Sequence, residues 1–157
     1  MTKIAVFPGS FDPVTKGHEN LIVRASSIFD RVIVAIGENS QKQTFFPIEL
    51  KKQWLKIITE KLPNTDVQTF KGLTVDFCIL NNAKYIIRGV RTSADFDYEK
   101  DIAQMNKIMH SDIETVFLLA LPELSGITSS LVREIIKYGG NASPFLPDGV
   151  IIPDRFF

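Results

Sequence analysis

Short apolar runs rich in β-branched residues alternate along this chain with longer segments of helical spacing, and that alternation limits the fold more than any other feature. Ile4 to Phe7 reads as a short buried strand, closed by the Pro8-Gly9 turn signal. Leu21, Ile22, Ala25, Ile28 and Phe29 then recur at helical spacing, which predicts a helix from about Gly17 to Phe29. Val32 to Ile36 is a second continuous apolar strand, followed by polar residues from Gly37 to Thr44. The next helix carries the stripe Leu50, Trp54, Ile57 and Ile58, with Pro47 near its start, where a missing amide hydrogen costs little. Three more pairs follow: Val67–Phe70 with Thr74–Leu80, Tyr85–Ile87 with Ala94–Met109, and Thr115–Leu121 with Ser129–Tyr138. Gly139-Gly140 ends the last helix.

Five such alternations predict an α/β, Rossmann-like, doubly wound fold: a five-stranded parallel sheet with helices on both faces. Ligands of these sheets bind beyond the carboxyl ends of the strands, where the strand order reverses. The loops that matter are therefore 8–18, 37–46, 71–74, 88–93 and 122–130. A length of 157 residues suits one domain, residues 1–157, with one sizeable core.

Charge and composition remove several function classes. Lysine plus arginine equals aspartate plus glutamate at 18 each, so the basic excess of a general nucleic-acid binder is missing. Any anion site must be built locally. No apolar run approaches the ~20 residues that span a bilayer, so no membrane partner is expected. The chain starts directly with Lys3-Ile4-Ala5-Val6-Phe7, too short for a secretory core, and its one cysteine, Cys78, fits a reducing compartment. The expected location is cytoplasmic, with Cys78 as a buried filler residue.

The chemistry concentrates in the first loop, Pro8-Gly9-Ser10-Phe11-Asp12-Pro13-Val14-Thr15-Lys16-Gly17-His18. Gly9 permits a tight turn off the first strand, and the Ser10 hydroxyl can meet an anion. Gly17 and His18 open the first helix, where unpaired amides and the helix dipole favour phosphate. A histidine there can donate to a phosphate oxygen. The pattern G-S-F-D-P-x-x-x-G-H after an N-terminal strand resembles the signature of the nucleotidyltransferase superfamily. Thr15 stands where many members place the first histidine of H-x-G-H, and that variant is similar to the phosphopantetheine adenylyltransferase family. Ile87-Arg88-Gly89-Val90-Arg91, Ala94-Asp95-Phe96-Asp97-Tyr98-Glu99, Ile127-Thr128-Ser129-Ser130-Leu131-Val132-Arg133 and Phe145-Leu146-Pro147 continue the resemblance in order through nearly the whole chain.

The resemblance implies an enzyme that moves the adenylyl group of ATP onto 4′-phosphopantetheine. It makes His18, Lys42 and Arg91 the catalytic residues and puts Ser10, Lys42, Thr74 and Arg88 on the phosphopantetheine. ATP would meet Ser10, Phe11, His18, Gly89, Val90, Arg91, Glu99, Leu124, Ser125, Gly126, Ile127, Thr128, Ser129 and Ser130. Read from their positions alone, Arg88 and Arg91 lie just past a strand end, where planar guanidinium forks suit phosphate. Thr128, Ser129 and Ser130 are good helix caps as well as phosphate ligands. Lys42 alone would read as solvated surface and Glu99 as a helix-surface acid. Magnesium is implied as the cofactor bridging the phosphates, with no residue assigned to hold it, and a homohexamer is implied as the assembly.

Some positions depart from the family's usual pattern. Leu124 and Gly126 stand where aromatic residues are frequent, Thr128 replaces a frequent serine, and Phe46-Pro47-Ile48-Glu49-Leu50-Lys51-Lys52 lacks the usual acidic-acidic-arginine run. The tail Val150-Ile151-Ile152-Pro153-Asp154-Arg155-Phe156-Phe157 does not resemble the usual closing helix, and its apolar residues are expected to cover a neighbouring surface, such as a subunit's. A nicotinamide mononucleotide adenylyltransferase and a polyol-phosphate cytidylyltransferase are the enzyme alternatives. A non-catalytic nucleotide-binding module is the other.

Overall fold

A computed structural model describes residues 1–39 and 41–157. Five strands, β1 (Ile4–Gly9), β2 (Arg31–Gly37), β3 (Thr65–Phe70), β4 (Tyr85–Val90) and β5 (Glu114–Leu119), form one sheet in the order β3-β2-β1-β4-β5. Every pairing is parallel. Between them run α1 (Lys16–Ile28), α2 (Ile48–Thr59), α3 (Thr74–Leu80) and α4 (Ser93–Met109), and α5 (Ser129–Lys137) follows β5.

Right-handed crossovers explain the two-sided winding. The chain steps outward from β1 to β3 through α1 and α2, then returns past β1 through α3 and α4, so the second pair falls on the opposite face. Alternation along the strands matches this. Ala5, Phe7, Val32, Val34, Ile36 and Ile87 pack with α1, α2 and α5 residues such as Ile22, Leu55 and Ile136. Val6, Ile33, Ala35 and Ile86 face the other way and meet Val75, Phe77 and Cys78 of α3.

The functional crevice follows from the register. β1 stays paired to β2 through Gly9↔Ile36, but its pairing to β4 covers only Ala5↔Tyr85 and Val6↔Ile86. The two central strands therefore part after Val6, at the switch in strand order. Pro8, which has no amide hydrogen to contribute to a ladder, sits where that ladder has ended.

Two sequence expectations need correction, and the surface left open for the tail becomes definite. Strand β4 continues through Arg88↔Phe117, Gly89↔Leu118 and Val90↔Leu119, so Arg88 lies inside the strand and only Arg91 lies beyond it. Helix α2 buries Lys51, Trp54, Leu55, Ile58 and Thr59, while Leu50 and Ile57 are only partly covered. The rows 51-55-59 and 54-58 form its inner face, with the long aliphatic stem of Lys51 lying among apolar side chains. The tail covers its own chain: Val150 and Ile152 are buried in the main core, and Phe156 packs on Phe46 with ring centroids 4.8 Å apart. It closes in a short 3-10 turn, Asp154–Phe156, rather than a helix of the sheet layers.

Candidate active site

The first cavity, of about 520 Å³, lies in the crevice between the ends of β1 and β4, with His18 and Arg91 on its wall. Helix α1 begins one residue earlier than the spacing suggested. Thr15 is its N-cap, taking the His18 amide on its hydroxyl, and the His18 ring reaches back to the Thr15 backbone, which forms a capping box. The Thr15 amide donates to His18 Nδ1 at 3.0 Å, and Thr15 Oγ1 lies 3.1 Å from the same nitrogen. A nitrogen that accepts carries no proton, so the imidazole bears its hydrogen on Nε2.

The rest of the first loop fixes the ring. Phe11 adopts a φ of 47°, in the left-handed region. Its ring stands edge-on to both Phe7 and His18, with the His18 centroid 5.1 Å away. An added Cβ on Gly9 would meet that ring at 3.0 Å. Gly9 therefore serves a close approach inside β1, not the tight turn that the sequence suggested.

Burial holds the His18 pKa down to about 4, with help from the charges of Arg91 and Arg88. Between about 4 and the ordinary 6.5, the unfolded chain binds a proton that the folded chain does not. Stability should fall as pH drops through that window. A ring-proton NMR titration of the free protein is expected to give His18 a midpoint near 4. A midpoint near 6.5 would contradict the buried, neutral imidazole.

Arg88 and Glu99, separated in the sequence-based roles, belong together. Arg88 Nε donates to Glu99 Oε2 at 2.8 Å, Nη2 donates to Oε1, and Nη1 reaches across the parted strands to the Pro8 carbonyl at 3.0 Å. Glu99 is the one buried residue of α4, not the surface acid its position suggested. Its carboxylate orients the guanidinium and leaves one N–H on each Nη free. Arg91 is held more loosely, with Nε 3.4 Å from Asp95 Oδ2.

A second cavity, of about 990 Å³, opens beyond the ends of β1, β2 and β3, and Lys42, Thr74 and Arg88 line it. Pro8, Gly9, Ser10 and Arg88 line both cavities, so the two meet at that wall. Lys42 stands on the second side only. Lys51, to which the sequence assigned no role, also lines this cavity, and burial lowers its pKa.

A family model described as Cytidylyltransferase-like matches residues 6–135. The phosphopantetheine adenylyltransferase of Cytophaga hutchinsonii is 49% identical over 147 residues, which cover 94% of this chain and 98% of that protein. Those of Leuconostoc mesenteroides and Desulforudis audaxviator are 48% and 43% identical, covering 94% and 98% of this chain and 91% and 96% of their own. The chain belongs to the phosphopantetheine adenylyltransferase family. The solved structure of Plasmodium falciparum nicotinic acid mononucleotide adenylyltransferase, complexed with NaAD, superposes with a TM-score of 0.69 over 94% of this chain and 92% of that one. At 15% identity that likeness concerns the fold alone.

Within this phosphopantetheine adenylyltransferase family member, the residues expected to meet ATP divide into two groups. Ser10, Phe11, His18, Gly89, Arg91, Glu99, Leu124, Ile127 and Ser129 line the first cavity. Val90 is buried and lines neither cavity. Ser125 Oγ donates to the Pro122 carbonyl, and Thr128 Oγ1 takes the Leu131 amide as the cap of α5. Gly126 and Thr128 face an apolar groove outside the site, and the Ser130 hydroxyl accepts from Arg133. The Ser129 hydroxyl donates to the Pro13 carbonyl. What the α5 start offers the cavity is thus its first amides, which helix geometry leaves without internal acceptors.

Sequence reasoning passed over two side chains here. Asp12 accepts the Phe45 and Phe46 amides at 2.8 and 2.9 Å, tying the loop after β2 to the loop after β1. Arg133 lines the first cavity and donates to the Asp12 carbonyl at 2.7 Å. Its spacing offered the signal, since Ser129 and Arg133 are four apart and share one helix face.

No group of three or more metal-binding side chains occurs among the described residues. The carboxylates bordering the first cavity are already engaged: Asp12 by two amides, Asp95 by the Arg91 and Thr92 amides, Glu99 by Arg88. The donor set does not fit a protein-held magnesium ion. Cys78 is buried, and its thiol is pushed up to about 12, which removes it as a nucleophile.

Proposed function

We propose that this chain transfers the adenylyl group of ATP to 4′-phosphopantetheine, giving dephospho-coenzyme A and pyrophosphate. The observation that carries the reading is the wall of Pro8, Gly9, Ser10 and Arg88 shared by the two cavities. A nucleotide on the His18 side and a phosphate-bearing acceptor on the Lys42 side would meet there. The family names of the relatives agree with this choice of substrates.

The reaction needs no enzyme nucleophile. An oxygen of the acceptor phosphate attacks the α-phosphorus in line, and the bond to the α–β bridging oxygen breaks as pyrophosphate leaves. The protein's work is position and charge. On this reading Arg88, oriented by Glu99, holds the acceptor phosphate with Ser10 and Thr74. His18 Nε2–H and Lys42 stabilise the charge that grows on the α-phosphate. Arg91 and the α5 amides hold the β- and γ-phosphates. Magnesium would supply positive charge to the phosphates, with no cage for it among the described residues.

Purified protein with ATP, magnesium and 4′-phosphopantetheine should release pyrophosphate and form dephospho-coenzyme A. Pyrophosphate released only with nicotinamide mononucleotide or a polyol phosphate would overturn the choice of acceptor. Thr15 favours phosphopantetheine, because the rival enzymes place a histidine there by resemblance.

The reading includes a homohexamer in the cytoplasm. Its support is exposed apolar surface on α4, where Met105 and Ile108 are 60% and 79% exposed, and on α3, where Leu80 is 82% exposed. No helix among the described residues is long and apolar enough to cross a membrane. Light scattering that gives a monomer at micromolar concentration would defeat the assembly.

A further inference from the structure

A third cavity, of about 410 Å³, lies beside the first two, and cations dominate it. Lys42 enters from the loop after β2, while Arg133 and Lys137 project from one face of α5, one turn apart. Like charges at that spacing repel. Neither Lys42 nor Lys137 has an ion-pair partner among the described residues. The acid on the rim, Asp12, has both carboxylate oxygens occupied by the Phe45 and Phe46 amides.

Two of the cations, Arg133 and Lys137, are also held in place. Arg133 Nη1 donates to the Asp12 carbonyl at 2.7 Å and Nη2 to Ser130 Oγ at 3.3 Å, which leaves Nε and one hydrogen on each Nη unengaged. Lys137 Nζ lies 5.7 Å from the centroid of the Phe45 ring, a cation–π contact. Arg133 borders both this cavity and the nucleotide cavity, so it stands at the passage between them.

We propose that this cavity receives the pyrophosphate leaving group, with Lys137 and Arg133 as its binding residues. The inference rests on the reading of the chain as an adenylyltransferase and goes beyond it by assigning a separate site to one product. When the α-phosphorus gains its bond to the acceptor oxygen, the electron pair of the broken bond stays on the bridging oxygen. The departing pyrophosphate thus carries more charge than it had within ATP. Three cations against the single carboxylate of Asp12 leave an excess of positive charge that suits that polyanion better than a monophosphate. The α5 start that faces the β- and γ-phosphates is one turn from Arg133, so the group has a short path to take.

Lys137→Gln and Arg133→Gln test the assignment, since each keeps a polar side chain and α5 can form with either. Calorimetry with pyrophosphate should show affinity about fivefold or more weaker in each variant. In the reverse reaction KM for pyrophosphate should rise to match, with KM for dephospho-coenzyme A nearly unchanged. Orthophosphate should bind the unmodified protein at least ~10-fold more weakly than pyrophosphate. Unchanged pyrophosphate affinity in both variants would overturn the proposal. So would an equal loss for dephospho-coenzyme A, or orthophosphate binding as tight as pyrophosphate. Should the protein bind pyrophosphate through Lys137 yet transfer no adenylyl group, the site stands and the functional reading falls.

Discussion

Replacing His18 with alanine is expected to lower kcat by ~10²–10³, the usual loss for one donor aimed at a charge that grows in the transition state. The Michaelis constants for ATP and acceptor should move little, because a contact made mainly in the transition state contributes little to ground-state binding. The fold should survive. The variant loses the ring's bond to the Thr15 amide, half of a capping box, and caps are worth ~0.5–2 kcal/mol. Near-normal kcat would make His18 a capping residue only. His18→Asn sharpens the test. An asparagine can accept the Thr15 amide on its oxygen and donate with its nitrogen, reproducing both contacts without a charge. With the imidazole neutral down to about 4, donation is the role to reproduce, so asparagine should recover part of the rate. No recovery at all, with the fold intact, would mean that a charged imidazolium is needed.

Arg88→Ala should weaken the acceptor's apparent affinity at least tenfold, since truncating one partner of a buried charged pair costs ~2–5 kcal/mol. The Glu99 contact adds a second consequence. The variant strands a carboxylate whose side chain is only 10% exposed, so the protein should also lose stability. Because 32% of the Arg88 side chain is in solvent, that loss should fall at or below the low end of the ~3–5 kcal/mol for a broken buried pair. The double variant Arg88→Ala with Glu99→Gln separates the two effects. Thermal unfolding should show much of the stability restored, while acceptor affinity stays low. Equal loss of ATP and acceptor affinity in the double variant would place Arg88 on the nucleotide side.

The sheet was legible because fully buried parallel strands leave continuous apolar runs, such as Val32 to Ile36, that little else produces. The first-loop motif and the Arg88-to-Arg91 run were equally visible, since each is contiguous in sequence. What stayed hidden is what depends on register and on partners far along the chain. Nothing local says that β1 and β4 part after Val6, or that Glu99 turns inward to Arg88. The inner face of α2 was misread because a lysine stem can occupy a core row. The surface covered by the tail stayed open because hydrophobicity reports burial without naming the surface buried, which for Phe156 includes Phe46 of the same chain. In the serine-rich motif, contiguity does not show that capping and internal hydrogen bonds already engage the Ser125, Thr128 and Ser130 side chains.

The central claim is direct transfer between two ligands that meet at the Ser10 and Arg88 wall. ATP labelled on its α-phosphorus, incubated with magnesium and 4′-phosphopantetheine, tests it most directly. All of the transferred label should appear in dephospho-coenzyme A, none in pyrophosphate, and none on protein quenched during turnover. A chiral α-thiophosphate should emerge with its configuration inverted, as a single in-line displacement requires. Label attached to the protein, or retention of configuration, would contradict the account.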